Sequence, residues 1–350
     1  MLWQPGEQLA LLQVLDLART GAFVVLPVWR YNTSHREGHP VDSATVNIVL
    51  PLFAILLAGY FAGRSGLFGD ASSAVLNRFV FMVSLPALVF VSLSRVTVDQ
   101  FFNWPFLGTL GGGMLATYLI SMAVARVVFP GSLAQLGLHG LTAMYSSTGY
   151  IGLPLLLIAF GNEALVPGII GAVITGAVFL PLAIILAEIG NPDQSRRVSL
   201  RPLVNVARNP IFIATAAGLL VSASGFGLPE PVAVFCDLLG GAFTPCALFS
   251  AGLFMVGCPV KGDGREIGWL VFMKLAVHPL ITWWLAYRVF ELDGILPAVA
   301  VIQAALPCGV PVFVLAQQYR TFVARSNAVV VISTALSVVT LSVLLALLVE

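Results

Sequence analysis

Two clusters of small and polar residues interrupt apolar segments in distant parts of this chain, and each cluster contains proline. The first set is Tyr145, Ser146, Ser147, Thr148, Gly149, Gly152 and Pro154. The second set is Gln303, Pro307, Cys308, Gly309 and Pro311. Proline removes a backbone N–H and glycine weakens a helix. Both segments are therefore predicted to be interrupted helices, centred on Gly152-Leu153-Pro154 and Gly309-Val310-Pro311.

An interrupted helix has the chemistry of an anion site. Its second half begins with N–H groups that lack an intrahelical acceptor, at the positive end of the helix dipole. The hydroxyls of Ser146, Ser147 and Thr148 can add hydrogen bonds to a polar ligand. Two such breaks in matching positions indicate a transporter binding site. In the alternative, glycine and proline only kink these helices, and the hydroxyls bond to their own backbone.

Lys274 is the only lysine or arginine deep inside an apolar segment. An ionisable residue within a membrane is costly and indicates a functional site. Three roles are open for it: attracting a carboxylate substrate, exchanging a proton, or tethering helix ends as a structural cation. His278, one turn later, is either a proton relay or a histidine of the core. Asp237 and Glu188, nearer the ends of their segments, are the candidate carboxylate partners.

Asn77 and Asp237 precede two similar proline motifs by nearly the same distance. If the two halves of the chain are related, these side chains occupy equivalent positions. They are candidates for binding a coupling cation, and in the alternative they cap the starts of their helices.

The composition places the chain in a membrane. Hydrophobic residues make up 59% of it and charged residues 9%, with a mean hydropathy of +0.97, whereas a soluble domain has about 25% charged residues. The net charge of +1 and the absence of a basic run give no indication of nucleic acid binding. The four cysteines lack metal-site spacing, so neither a metal nor a cofactor is predicted. Motifs of hydrolases, metalloproteases and nucleotide-binding enzymes are missing, so no enzyme is predicted.

Ten membrane spans are predicted from hydropathy and length, at about 20 residues for each crossing. They cover residues 45–63, 73–94, 105–129, 138–160, 165–188, 209–226, 231–257, 267–289, 295–318 and 326–348. Residues 1–44 form an N-terminal extension, interfacial or poorly ordered, and residues 191–208 form a cytoplasmic linker. The linker separates one set of five spans, 45–190, from a second set, 209–349.

Lysine and arginine concentrate at the ends of the odd-numbered spans and in the loops that follow them. Positive charge marks the cytoplasmic side of a membrane protein. Both termini are therefore predicted to face away from the cytoplasm.

The two sets of spans share their motifs in the same order. Pro86-Ala87-Leu88-Val89-Phe90 is echoed by Pro245-Cys246-Ala247-Leu248-Phe249, and the two glycine–x–proline motifs follow at nearly equal distances. A repeat with an odd number of spans enters the membrane in the opposite direction. The sequence thus predicts an inverted repeat whose spans four and nine cross near the midplane.

These motifs resemble those of a known family. The resemblance covers Val46 to Leu348 and rests on Leu85–Phe90, Gly149–Leu155, Phe160–Ala164, Arg208–Pro210, Thr244–Phe249, Lys274–Pro279 and Ala305–Val310. The chain resembles the auxin efflux carrier family, which includes plant PIN-formed auxin exporters and bacterial permeases for malate or malonate.

The resemblance implies an all-α polytopic membrane protein with ten helices in two inverted five-helix repeats. This architecture is like that of sodium–proton antiporters and bile-acid transporters, with broken, crossed helices four and nine. It implies elevator-like alternating access, an organic anion as substrate and a possible homodimer. Family members often carry asparagine in the span-four break, where this chain has Ser147 or Thr148. The short linker favours a bacterial-type permease in the inner membrane.

The sequence therefore predicts a secondary active transporter of a small organic anion, such as malate or malonate. The coupling ion is a proton or sodium, or transport is uncoupled. The alternatives are an efflux carrier for auxin-like indole acids and a membrane sensor with the same fold that does not transport.

Overall fold

The computed structural model describes residues 41–190, 208–256 and 262–348. The described residues are helical throughout, apart from turns, short connections and one isolated β-bridge. In the first half the α-helices are α1 Val41–Arg64, α2 Asp70–Phe79, α3 Leu85–Ser94, α4 Val98–Phe101, α5 Trp104–Val128, α6 Leu133–Met144, α7 Leu153–Phe160, α8 Leu165–Ile174 and α9 Leu180–Ile189. In the second half they are α10 Pro210–Ser224, α11 Glu230–Gly241, α12 Phe243–Phe254, α13 Gly264–Phe272, α14 His278–Trp284, α15 Leu296–Ala305, α16 Val310–Gln318 and α17 Val323–Leu348.

Six continuous helical stretches among the described residues are long and apolar enough to cross a membrane. They are Ser72–Ser94, Val98–Val128, Thr148–Ile189, Glu230–Phe254, Gly264–Val289 and Val323–Leu348. Three shorter apolar helices, Val49–Arg64, Pro210–Ser224 and Leu296–Ala305, fall on predicted spans one, six and nine. The prediction of an all-α polytopic membrane protein is confirmed, and the count of ten spans stays a prediction.

The predicted N-terminal extension and the predicted linker fall largely outside the described residues. Of the extension 1–44, residues 1–40 lie outside them, and α1 begins at Val41. The linker 191–208 lies outside them except for Arg208.

Proline shapes the long helices in a regular way. Four π-helical turns end two residues before a proline, namely Pro86, Pro154, Pro181 and Pro279. A proline inside a helix has no N–H to donate, and its ring clashes with the carbonyl four residues earlier. The wider π turn places that carbonyl away from the ring, so these helices continue through their prolines instead of ending there.

The described helices pack into two groups, which contact each other. In one group α12 packs on α1 and α2, and both α10 and α11 pack on α3. In the other group α6 packs between α5 and α9, α14 packs on α5 and α15, and α16 packs on α17. The groups contact each other where α1 packs on α17 and α7, and where α12 meets the π turn Thr148–Gly152.

Helices α1 and α12 approach closely through glycine. A Cβ on Gly252 would overlap the carbonyl oxygen of Leu56, and one on Gly59 would overlap that of Phe249. Small residues allow this approach in membrane helices, where packing replaces the hydrophobic effect. The glycines therefore determine the spacing of the two helices.

We expect Gly252→Ala to destabilise the protein by about 1–3 kcal/mol or more, because a rigid backbone carbonyl has to move. The measurement is the thermal unfolding midpoint of the purified protein in detergent. Gly241→Ala is the matched control, since a Cβ there meets nothing within 4 Å. An equal midpoint for the two variants would contradict this account of the packing.

Candidate functional site

The two interrupted segments meet and pair through their backbones. Ser146 and Cys308 face each other as an isolated antiparallel bridge. The N–H of Ser147 donates to the carbonyl of Pro307 at 2.9 Å, and the N–H of Gly309 donates to that of Tyr145 at 3.1 Å. Backbone groups in an apolar surrounding need partners within the protein. The two non-helical segments supply those partners to each other, and we call this pairing the crossing.

The first break lies earlier in the chain than its predicted centre. Residues 145–147 are not helical, and helical structure resumes at Thr148. Gly152 and Pro154 lie within the resumed helix, because the π turn accommodates the proline. The second break, Leu306–Gly309, lies closer to its predicted position, and Pro311 stands in the first turn of α16, where proline is tolerated.

Lys274 reaches the crossing from the π turn Met273–Val277. Its Nζ donates to Ser146 Oγ at 2.9 Å and to the carbonyl of Ala304 at 2.6 Å, and lies 3.3 Å from His278 Nδ1. The side chain is fully buried. An ammonium group has three protons to donate. Two go to these oxygens, and the third faces His278 Nδ1, which accepts it when the ring carries its proton on Nε2. Among the described residues it has no carboxylate partner.

The Lys274 contacts join three parts of the site. Ser146 belongs to the first break, and Ala304 lies at the C-terminal end of α15, where the helix dipole is negative and favours a cation. His278 is buried on the same helix as the lysine. The predicted partners Asp237 and Glu188 are not in contact with the ammonium group. This geometry favours the tethering role for the cation.

The N-terminal end of the helix after the first break has unused donors. The N–H groups of Thr148, Gly149 and Tyr150 have no acceptor within the described part of the chain. The Thr148 side chain is buried, and its Oγ1 also lacks a partner there. Gly149 is partly exposed, and the nearest atom to a Cβ on it would be Leu85 Cδ2 at 3.9 Å. Four donors without a partner among the described residues therefore lie together at this helix end, and we call them the donor cluster.

The second break has fewer free donors. The N–H of Cys308 donates to Ser333 Oγ at 3.0 Å, and the N–H of Gly309 is taken by Tyr145. Pro311 has no N–H. The N–H of Val310 at the start of α16 has no acceptor among the described residues. The two helix ends that the sequence treats as equivalent thus differ in their capacity to bind an anion.

Gln303 lies one residue before the carbonyl that Lys274 contacts, but its side chain points away from the crossing. Its Nε2 donates to the carbonyl of Pro167 at 3.0 Å. Its Oε1 packs so closely on Gly171 that a Cβ there would overlap it. The side chain ties α15 to α8 and is not brought to the donor cluster.

Asn77 and Asp237 occupy different environments. Asn77 Oδ1 accepts hydrogen bonds from Tyr150 at 2.9 Å and from Ser250 at 2.6 Å, which places it beside the donor cluster. Asp237 forms a half-exposed ion pair with Arg95 at 2.6 Å. The structure does not bring Asp237 to the crossing, so the suggested equivalence of the two side chains has no counterpart in their contacts.

Sequence reasoning missed a buried polar cluster at the far end of the second helix group. His139 Nδ1 lies 2.9 Å from Ser121 Oγ, and its Nε2 lies 3.9 Å from Glu266. Glu266 is paired with Arg325 at 3.0 Å. The sequence feature that could have revealed this cluster is the presence of a histidine and a glutamate within apolar segments. The cluster joins α5 and α6 to the first turns of α13 and α17.

Comparison with known proteins identifies the family to which this chain belongs. Residues 44–345 match the sequence model of a family described as membrane transport protein, the auxin efflux carrier family. The chain belongs to this family. The predicted resemblance is therefore confirmed, and the protein is an integral membrane protein of a family of transporters.

Three relatives illustrate the range of the family. A Rhizobium meliloti protein named "Putative malonate transporter" is 31% identical over 300 residues, which cover 85% of this chain and 94% of that protein. Auxin efflux carrier component 1 of Arabidopsis thaliana is 34% identical over 119 residues, 32% of this chain and 19% of the plant protein. The lysosomal cholesterol signaling protein of Mus musculus is 27% identical over 252 residues, 67% of this chain and 29% of the mouse protein.

Proposed function

We propose that this protein is a secondary active transporter of a small carboxylate anion, which binds at the donor cluster beside the crossing. The observation that carries this proposal is the set of unused donors at Thr148, Gly149 and Tyr150. A carboxylate oxygen accepts such hydrogen bonds, and the positive end of the helix dipole favours its charge. Gly149 leaves room for the ligand to approach the backbone.

Lys274 acts in this proposal through the crossing. Its three donors are used by the protein, so the substrate meets the positive potential of the ammonium group without direct contact. The lysine holds Ser146, two residues before Thr148, and thereby orients the donor cluster. Proton exchange at Lys274 and His278 remains one form of coupling, and sodium is the other.

The architecture that goes with this function has ten spans in two inverted repeats, with both termini outside the cytoplasm. The division of the main helix contacts between two groups supports an elevator movement, in which the group holding the crossing slides along the other. Two interrupted helices that meet are typical of transporters with this mechanism. The proposal also includes a bacterial inner membrane as the location and a homodimer as the assembly.

The similarity to the Rhizobium meliloti protein over nearly its full length supports malonate or a related dicarboxylate as the substrate. The plant relative matches over a third of this chain, which keeps indole acids as the alternative. The mouse relative is named as a signaling protein, so a sensor that binds without transport is the competing function for this chain.

The test is malonate binding and exchange by the purified protein. We expect a thermal-shift screen to show stabilisation by malonate or malate, and liposomes to exchange labelled substrate. Thr148→Val keeps the side-chain shape and removes one donor to a charged ligand, which corresponds to about tenfold or more in Kd. Thr142→Val is the control, because the Thr142 hydroxyl bonds only to the carbonyl of Leu138 in its own helix.

Each outcome separates the candidate functions. Binding without exchange would favour the sensor, and binding of indole acids alone would favour the auxin-like carrier. Undiminished malonate affinity in Thr148→Val would remove the donor cluster from the substrate site.

A further inference from the structure

Tyr150 belongs to both helix groups through two different parts of the residue. Its backbone N–H is one of the unused donors at the crossing. Its hydroxyl extends to α2 and donates to Asn77 Oδ1 at 2.9 Å. Its ring packs edge-on against Phe81, with 5.2 Å between the ring centroids. The residue thus connects the donor cluster to the other group of helices.

Asn77 accepts from both sides at a single oxygen atom. Ser250 of α12 donates to the same Oδ1 at 2.6 Å, while Asn77 Nδ2 lies 3.5 Å from Ser73 Oγ on its own helix. An amide oxygen has two lone pairs, and the two hydroxyls use both of them. No lone pair of this oxygen is left to bind a cation. The contacts therefore argue against an ion site at Asn77 and for a connection between helices.

Both Asn77 and Tyr150 lie in or near a π turn. Asn77 lies three residues before the π turn Val80–Ser84, and Tyr150 lies inside the π turn Thr148–Gly152. π turns are rare and occur often at functional sites. The hydroxyl and the ring of Tyr150 join the π turn that carries its N–H group to Asn77 of α2 and to Phe81 of the π turn Val80–Ser84.

We infer that Asn77 is a positioning residue: it holds Tyr150, and with it the donor cluster, on the group formed by α2 and α12. The inference deepens the proposed function, on which its effect on substrate affinity rests. In an elevator movement this bridge of Asn77, Tyr150 and Ser250 breaks and forms again, because its members belong to groups that slide past each other. The donor cluster then has its observed orientation only when the bridge is formed.

The test uses the whole chain with four single variants and, for the affinity measurement, one double variant. Tyr150→Phe removes the hydroxyl and keeps the ring, and Asn77→Ala removes the acceptor. Asn77→Asp keeps an oxygen acceptor at the same place and is the rescue variant. Ser94→Ala is the control, because this buried hydroxyl of the same span bonds only to the carbonyl of Val91.

The first readout needs no ligand and is hydrogen–deuterium exchange of the segment that contains Thr148–Gly152. Loss of one hydrogen bond corresponds to about a threefold to tenfold change in an opening equilibrium. We expect exchange in this segment to rise by that factor in Tyr150→Phe and Asn77→Ala. It should stay at the wild-type rate in Ser94→Ala and return towards it in Asn77→Asp.

The second readout is malonate affinity. Tyr150→Phe and Asn77→Ala should both weaken it, and the double variant should be no weaker than Asn77→Ala alone, because Asn77→Ala already removes the bond to Tyr150. Unchanged exchange of the segment in both single variants would overturn the inference. If the wild type does not bind malonate while the exchange pattern is as expected, the proposed substrate fails and the positioning role of Asn77 stands.

Discussion

Replacing Lys274 with methionine is expected to abolish substrate exchange and to lower the thermal midpoint strongly. Methionine fills the space of the lysine stem but donates no hydrogen bond. The carbonyl of Ala304 and the hydroxyl of Ser146 then lose a buried partner, at about 1–3 kcal/mol for each group. The end of α15 also loses the cation that balances its dipole. The crossing should therefore loosen even though the apolar packing is kept.

The control for this prediction is Thr282→Val on the same helix. The Thr282 hydroxyl is buried like Lys274, but it bonds to the carbonyl of His278 one turn earlier. This variant should keep most of the stability and the exchange rate. Lys274→Met with the midpoint and the exchange rate of Thr282→Val would show that the ammonium group does not hold the crossing.

Gly309→Ala is expected to have the second large effect, through steric overlap alone. A Cβ at this position would lie 2.8 Å from Cδ1 and from Cε1 of the Tyr145 ring, and 3.4 Å from the carbonyl oxygen of Ser146. The backbone φ of Gly309 is −82°, which alanine adopts without strain. The overlap would separate the two paired segments, at about 1–3 kcal/mol of stability. We expect exchange in liposomes to fall to background.

Gly111→Ala is the matched control for this substitution. A Cβ on Gly111, in α5, meets nothing within 4 Å, so alanine there should leave stability equal or slightly raised. A further variant tests whether steric overlap causes the loss of stability. Gly309→Ala combined with Tyr145→Ala removes the opposing ring and should regain part of the lost stability. If Gly309→Ala exchanges substrate as fast as Gly111→Ala, close approach of the two breaks is not required for transport.

Local rules explain which features were predictable. Low charge and high hydropathy determine the membrane class, because a charged or unpaired group is costly in lipid. Proline and glycine showed where helices are interrupted in both halves. The same rule misplaced the first break, since it did not anticipate that a π turn allows the helix to continue through Pro154. The backbone pairing of Ser146 with Cys308 closes the interruption at residues 145–147 instead.

The roles of single polar residues depended on contacts between distant parts of the chain. Lys274 was singled out by its type and depth, with a substrate role, proton exchange and tethering all open. Its acceptors are a serine of one break and a carbonyl beside the other. Asn77 and Asp237 looked equivalent, yet one bonds to Tyr150 and the other to Arg95. Nothing in the spacing of residues distinguishes these cases.

The sequence by itself determined the membrane environment, the helical class, the family and the existence of two breaks. The family follows from the order of the motifs. The other three follow from the transfer free energy of side chains and from the covalent structure of proline, which act over a few neighbouring residues. The tertiary structure alone decided which donors stay free at the crossing and which are used by Pro307, Tyr145 or Ser333. Such pairing depends on how whole helices pack, and residues far apart in the chain contribute to it.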